Sequence, residues 1–364
     1  PQDLLSNRLF TLEFFALVQK RLNEGGIIAF CLPGSLVYLS QELKDLNACV
    51  LNALKRTYAY VRIIPGDYNM FLASDSRALL EVNAAGVTQR LRERNIKADI
   101  LVPAYLEHRL SSAWSGWFRN SLRGATSKAN QDLMPFAVYQ MLIFWNKQFT
   151  PGLANFFRAA GSLNIIFFCI LISGITLVLF YFLRQRRAQK LIIAYSIATT
   201  GFFGMLSTLL LIFSFQVFYG YLYYKIGLLT SIFMAGIALG SILIIKPLER
   251  IKNPLTLFIK LEAAIALFSF ALPWLINRLG GYLFFIPGLL IGLEFPLAGK
   301  IYQGKGEEAG PVAGVLYAAD LLGGWLAGML GGILLLPVLG LFNTCMIMVI
   351  LKASSLVLVA LFSP

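Results

Sequence analysis

The chain has 364 residues, of which 58% are hydrophobic and only 13% charged, with a mean hydropathy of +0.71. That balance excludes an ordinary soluble domain and a disordered tail, and it marks an integral membrane protein. The net charge of +13 divides into +5 over residues 1–157 and +8 over the rest. Most of the excess lies in short loops between apolar runs, where membrane orientation explains it, so nucleic acid is not expected as a partner.

Four cysteines (Cys31, Cys49, Cys169 and Cys345) lie far apart without metal-ligand spacing. Neither a disulfide framework nor a zinc site is expected. The one histidine, His108, excludes any mechanism that needs a pair. The chain opens at Pro1 with no signal peptide, on what reads as the tail of a loop. It is expected to lack its own beginning.

Residues 10–22 have helical apolar spacing, stopped by Gly25-Gly26. Residues 27–34 are a short apolar run ending in Pro-Gly, as a buried strand would be. A second helix is expected over 40–54, with Ser40 as its N-cap. Residues 58–74 read as two strands joined at Pro65-Gly66-Asp67, a hairpin signal. Helix, strand, helix and hairpin in this order predict the second half of a doubly wound α/β domain. Further helices are expected over 76–94 and 103–122. Residues 134–160 are apolar but broken by Asn146-Lys147-Gln148 and Pro151-Gly152. They predict an amphipathic connector at the membrane surface, or else a helix packed on the soluble domain. Asp132 is placed to cap the helix that follows it.

Seven apolar spans follow, over about 161–183, 191–217, 226–245, 255–276, 280–299, 312–337 and 341–362. Loops on one side hold Arg184, Arg186, Arg187, Lys190, Lys246, Arg250, Lys252, Lys300 and Lys305; the other side holds Lys225 and Arg278. The positive-inside rule makes the first side cytoplasmic and puts residues 1–157 outside. Inside the spans lie Lys260, Glu262, Glu294, Asp320 and Lys352. Lys260 and Glu262 are about 200° apart around a helix and face different ways. Glu294 precedes Pro296, which frees a backbone carbonyl. Glu294 and Asp320 on adjacent helices form the expected membrane polar site, an acidic pair for a cation or polyamine. The plainer alternative is an ion pair with Lys260 or Lys352. Glycines four apart predict close helix packing at Gly324–Gly328, Gly328–Gly332, Gly236–Gly240 and Gly288–Gly292.

Several stretches carry a family likeness: LFTLEFFALVQKRLNEGGIIAFCLPGS, VRIIPGDYNMFLAS, NQDLMPFAVYQMLIFWNKQFTPGL, TTGFFGMLSTLLLIFSFQVFYGYLYYKIGLL, GLLIGLEFPLAG and LYAADLLGGWLAGMLGGILLLPVLG. Together, and in this order, they resemble the membrane-bound, spermidine-synthase-like proteins. Those join a polyamine-aminopropyltransferase-type Rossmann domain to transmembrane helices, and the likeness covers nearly the whole chain. It implies a partial α/β domain over 1–133, a connector over 134–160 and a transmembrane bundle of about seven helices over 161–362.

The likeness also implies polyamine biosynthesis, with decarboxylated S-adenosylmethionine as co-substrate, and a place in the bacterial inner membrane. The family's glycine-rich nucleotide loop, ribose-holding acid and catalytic aspartate all precede the helix that starts here near Phe10. This chain is therefore expected to hold no cofactor site and to be inactive alone. An enzyme using a cytosolic co-substrate belongs inside, against the charge rule, so the side of the α/β domain stays open. Thr208 stands where the family likeness leads one to expect a glutamate.

What remains of a substrate site is Tyr60, Asp67 and Tyr68 at the hairpin, since a cationic polyamine favours carboxylates and aromatic faces. The alternative is a turn aspartate between ordinary strand aromatics. A membrane transporter or polyamine-binding module with a non-catalytic α/β scaffold is the second functional reading. The lipid bilayer is the expected partner, with a polyamine and a second copy of the chain as further ones.

Overall fold

The computed structural model describes residues 1, 3–186, 189–220, 223–303 and 308–361. About 76% of it is helical. The chain divides into two compact units, Pro1–Ala159 and Ala160–Pro364.

The first unit begins with the single turn α1 (Leu4–Asn7) and α2 (Leu12–Gln19). Thr11 caps α2, its side chain accepting from Phe14 N–H. Strand β1 (Ile28–Pro33) leads to α3 (Gln41–Thr57), then to β2 (Tyr60–Ile64) and β3 (Tyr68–Ser74). Ser40 holds the N-cap position of α3, but its side chain makes no capping bond. The sheet order is β1-β3-β2, with β3 antiparallel to both neighbours. Strands β1 and β2 therefore run the same way, joined by the crossover helix α3, with β3 inserted between them. A complete Rossmann fold is not present among the described residues.

Alternation along the strands decides which face is covered. Leu32, Asn69, Phe71 and Ala73 are buried, and Phe30 stacks between Phe15 and Phe71 at 5.5 and 5.4 Å. Leu46, Val50 and Leu54 bring α3 onto the same core, each contributing about 1.5–3 kcal/mol by its burial. The opposite face leaves Ala29, Cys31, Tyr68 and Met70 exposed.

The helix expected over 76–94 is two, α4 (Ala78–Glu81) and α5 (Ala84–Glu93), restarted by Asn83, which caps Gly86 N–H. The one expected over 103–122 is also two, α6 (Pro103–Arg109) and α7 (Ser112–Ser121). His108 on α6 is exposed and packs edge-on against Trp114 at 5.5 Å.

Helices α8 (Phe136–Phe149) and α9 (Pro151–Gly161) follow. Phe136, Ala137 and Met141 of α8 lie in the core of the first unit. The 134–160 segment is thus no free connector over α8. The packed-helix alternative holds there, because its apolar side chains find α3. Asp132 does not cap α8, whose N-cap position is Pro135 and which has no side-chain cap. It instead accepts from Thr11 Oγ1 at 2.7 Å, and its N–H donates to Glu13 Oε2 at 2.9 Å. Burial holds both Glu13 and Asp132 above the usual carboxylate range.

The second unit holds α10 (Ile165–Arg186), α11 (Gln189–Tyr219), α12 (Tyr223–Leu248), α13 (Pro254–Leu279), a 3-10 turn (Gly280–Phe284), α14 (Phe285–Tyr302), α15 (Ala309–Leu330), a π-helical segment (Gly331–Leu339) and α16 (Gly340–Leu361). Among the described residues six runs are long and apolar enough to cross a membrane, which fits a multi-pass membrane protein. The last run is 53 residues, about 80 Å of helix at 1.5 Å per residue and far more than one crossing. It is divided at Gly340, whose φ of 77° ends the π segment and turns the chain into α16. Ile166, Ile170 and Leu177 of α10 are more than half exposed, as on a lipid-facing helix. Of the loop cations, Arg187 and Lys305 lie outside the described residues.

Two close helix pairs form the middle of this unit, α12 with α14 and α11 with α15. A Cβ on Gly236 or Gly240 would strike the carbonyls of Phe285 and Leu289; one on Gly288 or Gly292 would strike those of Phe233 and Ile237. Between α11 and α15 the tight glycines are Gly201, against Asp320, and Gly323, against Ala198. The expected strip is therefore displaced by one residue. Gly324 and Gly328 make only ordinary contacts, and Gly332 faces open space.

Candidate functional site

Helices α11, α13, α14 and α16 bring six polar side chains together inside the second unit. Lys352 on α16, Glu262 on α13 and Glu294 on α14 are each fully buried. Lys352 Nζ lies 3.1 Å from Glu262 Oε1 and 3.5 Å from Glu294 Oε1. It also donates to Thr200 Oγ1 at 2.6 Å. Thr200 Oγ1 stands 3.0 Å from Glu294 Oε2 and 2.9 Å from Ser196 O, its own helix's preceding turn. Ser355 Oγ donates to Glu262 Oε1 at 3.0 Å and meets Ser196 Oγ at 2.7 Å. Tyr195 and Ser354 pair alongside at 2.8 Å.

The local reasons are legible in each helix. Ser196 and Thr200 are four apart on α11 and share a face. Lys352 and Ser355 are three apart on α16 and do the same. Lys260 is exposed while Glu262 is buried, as their angular separation requires. Pro296 lacks the N–H that would bond Gly292 O, and Ser241 Oγ on α12 supplies a donor to that carbonyl at 3.2 Å. The freed carbonyl is thus satisfied by a neighbouring helix. Ion pairing is worth most where water is excluded, but two acids against one lysine leave the charges unbalanced.

Of the expected membrane acids, Glu294 is in this cluster and Asp320 is at its edge. Asp320 is half-buried on α15, its backbone seated against Gly201, next to Thr200. The expected Glu294–Asp320 pair is replaced by Glu294–Lys352–Glu262, because Lys352 reaches between the two glutamates. Thr200, Ser196 and Ser355 were not singled out from the sequence. Small hydroxyl residues inside apolar spans are common, and only their convergence distinguishes these. Thr208 donates to Gly204 O at 2.9 Å within its own helix and takes no part.

A cavity of about 440 Å³ lies nearby, lined by Leu248, Phe295, Pro296, Lys300, Val312 and Leu316 among others. Neither Glu294 nor Asp320 lines it. Lys300 is held at its rim by the carbonyl of Leu248.

In the first unit the hairpin residues do not converge. Tyr60 pairs with Ser74 at one end of the hairpin, while Tyr68 pairs with Pro33 at the other. Six positions along β3 separate these ends, roughly 20 Å. Tyr60, Asp67 and Tyr68 therefore form no common amine site, and Asp67 behaves as a turn residue whose carbonyl accepts from Gly34 N–H at 2.8 Å. What is organised at that end is a buried amide pair. Asn69 Nδ2 donates to Asn47 Oδ1 at 3.0 Å, and Asn69 Oδ1 accepts from Gly66 N–H at 3.1 Å. Asn47 Nδ2 in turn donates to Pro33 O and Leu43 O at 3.0 and 2.7 Å. These bonds fix the ends of β1 and β3 and the first turns of α3 together.

Glu42, near the start of α3, is the buried acid among the described residues of the first unit. Burial alone would raise it, but bonds from Arg158, its own backbone and the nearby Lys147 hold it down at about 2. Among the described residues no group of three His, Cys, Asp or Glu side chains converges to hold a metal ion. No family model and no solved structure matches this chain.

Proposed function

We propose that the chain is part of a membrane-anchored, spermidine-synthase-like aminopropyltransferase, placed in the inner membrane of a bacterium. The observation that carries this reading is the state of β1. It is hydrogen-bonded to β3 on one side only, and the sheet face beside it leaves Tyr68 and Met70 exposed. A six-residue apolar edge of that kind is ordinarily paired or covered. In a doubly wound domain it is continued by further parallel strands, and a mixed sheet can carry an antiparallel strand such as β3 near its end. On this reading an upstream strand–loop–helix unit pairs with β1 and supplies the nucleotide side. The residues described here supply the end of the sheet and the membrane anchor.

The test is an assay of the protein from its natural source with decarboxylated S-adenosylmethionine and putrescine. Formation of spermidine and methylthioadenosine supports the reading, and the 364-residue chain alone is expected to form none. A folded natural protein that forms no product overturns it.

A second reading is favoured by the fully buried Glu262–Lys352–Glu294 cluster: the bundle is the working part, a transporter or polyamine-binding module. Charges of this cost inside a membrane bundle mark function by default. It predicts amine binding that weakens in Glu294→Gln and Asp320→Asn. Unchanged binding in both would sink it.

A further inference from the structure

We propose that Glu294 is a proton-binding site: its carboxyl is neutral while Glu262 is ionised against Lys352. This rests on the membrane-spanning reading of the six apolar runs and on neither functional reading above.

Charge balance is the first argument. Two acids and one lysine, all fully buried, leave one negative charge without a counter-charge if both acids ionise. An unpaired charge in a dry interior is neutralised by a proton. Among the described residues the remaining helices bring no second cation to the cluster. Asp320 on α15 is another acid, Tyr195 on α11 bonds Ser354, and α12 meets α14 through glycine and the backbone of Phe233 and Ile237.

Donor counting is the second argument, and it says which acid holds the proton. Thr200 has one hydroxyl hydrogen but two acceptors, Ser196 O and Glu294 Oε2. With Glu294 ionised, one of them goes without. With a proton on Glu294 Oε2, the carboxyl donates to Thr200, Thr200 donates to Ser196 O, and Lys352 fills the remaining lone pair. Placed on Oε1 instead, the proton still leaves Thr200 free to donate to only one of its two acceptors. Glu294 Oε1 and Glu262 Oε2 are the two cluster oxygens with no hydrogen-bond partner, so the cluster is short of hydrogen-bond donors when both acids are ionised. Glu262 keeps the shorter ion pair and the Ser355 hydroxyl, so it is the ionised member.

The consequence is a carboxyl inside the bundle that can be charged or neutral according to what stands beside it. The test is infrared spectroscopy of the full chain in an ester-free detergent at neutral pH. It reads the carbonyl stretch of a protonated carboxyl and its shift in heavy water. An Asp320→Asn background removes the one other acid at the cluster's edge. The band is expected in that background, absent after adding Glu294→Gln, and absent after adding Glu262→Gln, since Glu294 then ionises against Lys352. Adding Lys352→Met is expected roughly to double it, one protonated carboxyl becoming two. No band in the Asp320→Asn protein overturns the proposal, and so does a band that survives either glutamine substitution. If a glutamine variant fails to fold by circular dichroism, the Asp320→Asn measurement still decides.

Discussion

Thr200 and Lys352 stand 152 positions apart in the chain and 2.6 Å apart in the fold. Their bond joins α11 to α16, and through the two glutamates it ties in α13 and α14. Four helices therefore meet on one ammonium.

Removing that ammonium leaves two buried carboxyls facing each other. Lys352→Met is expected to destabilise the second unit by about 3–5 kcal/mol, as breaking a buried pair does. The triple variant Glu262→Gln, Glu294→Gln, Lys352→Met is expected to recover most of that loss, because no carboxyl then has to take up a proton to stay buried without the ammonium. Thermal unfolding in detergent, followed by near-UV circular dichroism, compares the two. A triple variant no more stable than the single one would show that the cluster is not held together by charge.

Close packing gives a second contrast. A Cβ at Gly323 has nowhere to go but into the carbonyl of Ala198, whereas at Gly332 it meets nothing within 4 Å. Gly323→Ala is expected to cost about 1–3 kcal/mol and Gly332→Ala less than about 0.5 kcal/mol. The same melting experiment reads both, and equal effects would contradict the register of α11 on α15.

Glu42 should make the first unit sensitive to acid. Its folded value, about 2, lies below the roughly 4.3 of a free glutamate. The stabilisation is therefore fully present above about pH 4.3 and is lost as pH falls towards 2. Glu42→Gln is expected to cost on the order of 1–3 kcal/mol at neutral pH, discounted because Arg158 and Lys147 are 45% and 46% exposed. It should also flatten the stability profile between pH 4 and 2. An unchanged slope in the variant would assign the acid sensitivity elsewhere.

The amide pair at the hairpin end can be tested by Asn69→Ala. The substitution strands Gly66 N–H and Asn47 Oδ1 without their partner, at about 1–3 kcal/mol. Hydrogen exchange at Gly66 is the direct readout, and protection there equal to wild type would contradict the bond.

Much of the fold was legible in periodicity. The helix, strand, helix and hairpin order of the first unit follows from apolar spacing and from Pro65-Gly66. The long apolar runs of the second follow from length alone. Boundaries inside polar stretches did not: the break at Leu110-Ser111 has no glycine or proline to announce it. Glu294 was visible as an acid in an apolar span, and Lys352 as one of two lysines that could pair with it, but Glu262 and Thr200 were not visible as partners. Lys352 pairs across 90 residues with Glu262 and across 58 with Glu294, and no local rule connects positions so distant. Tyr60 and Tyr68 failed as a pair for the opposite reason. They are near in sequence, but an extended strand carries them to opposite ends.

The turn at Gly340 has a consequence for how the protein is made. Residues 321–351 carry no charged side chain, and Leu339, Gly340 and Leu341 are all buried. The connection between α15 and α16 thus offers the insertion machinery no topogenic signal, neither a cation to retain nor a polar loop to release. The two helices have to enter the bilayer as one hairpin, with their orientation inherited from the segment before α15. Asp320 and Lys352 are the first charges on either side of the turn, and the partners of Lys352 on α11, α13 and α14 all precede it in the chain.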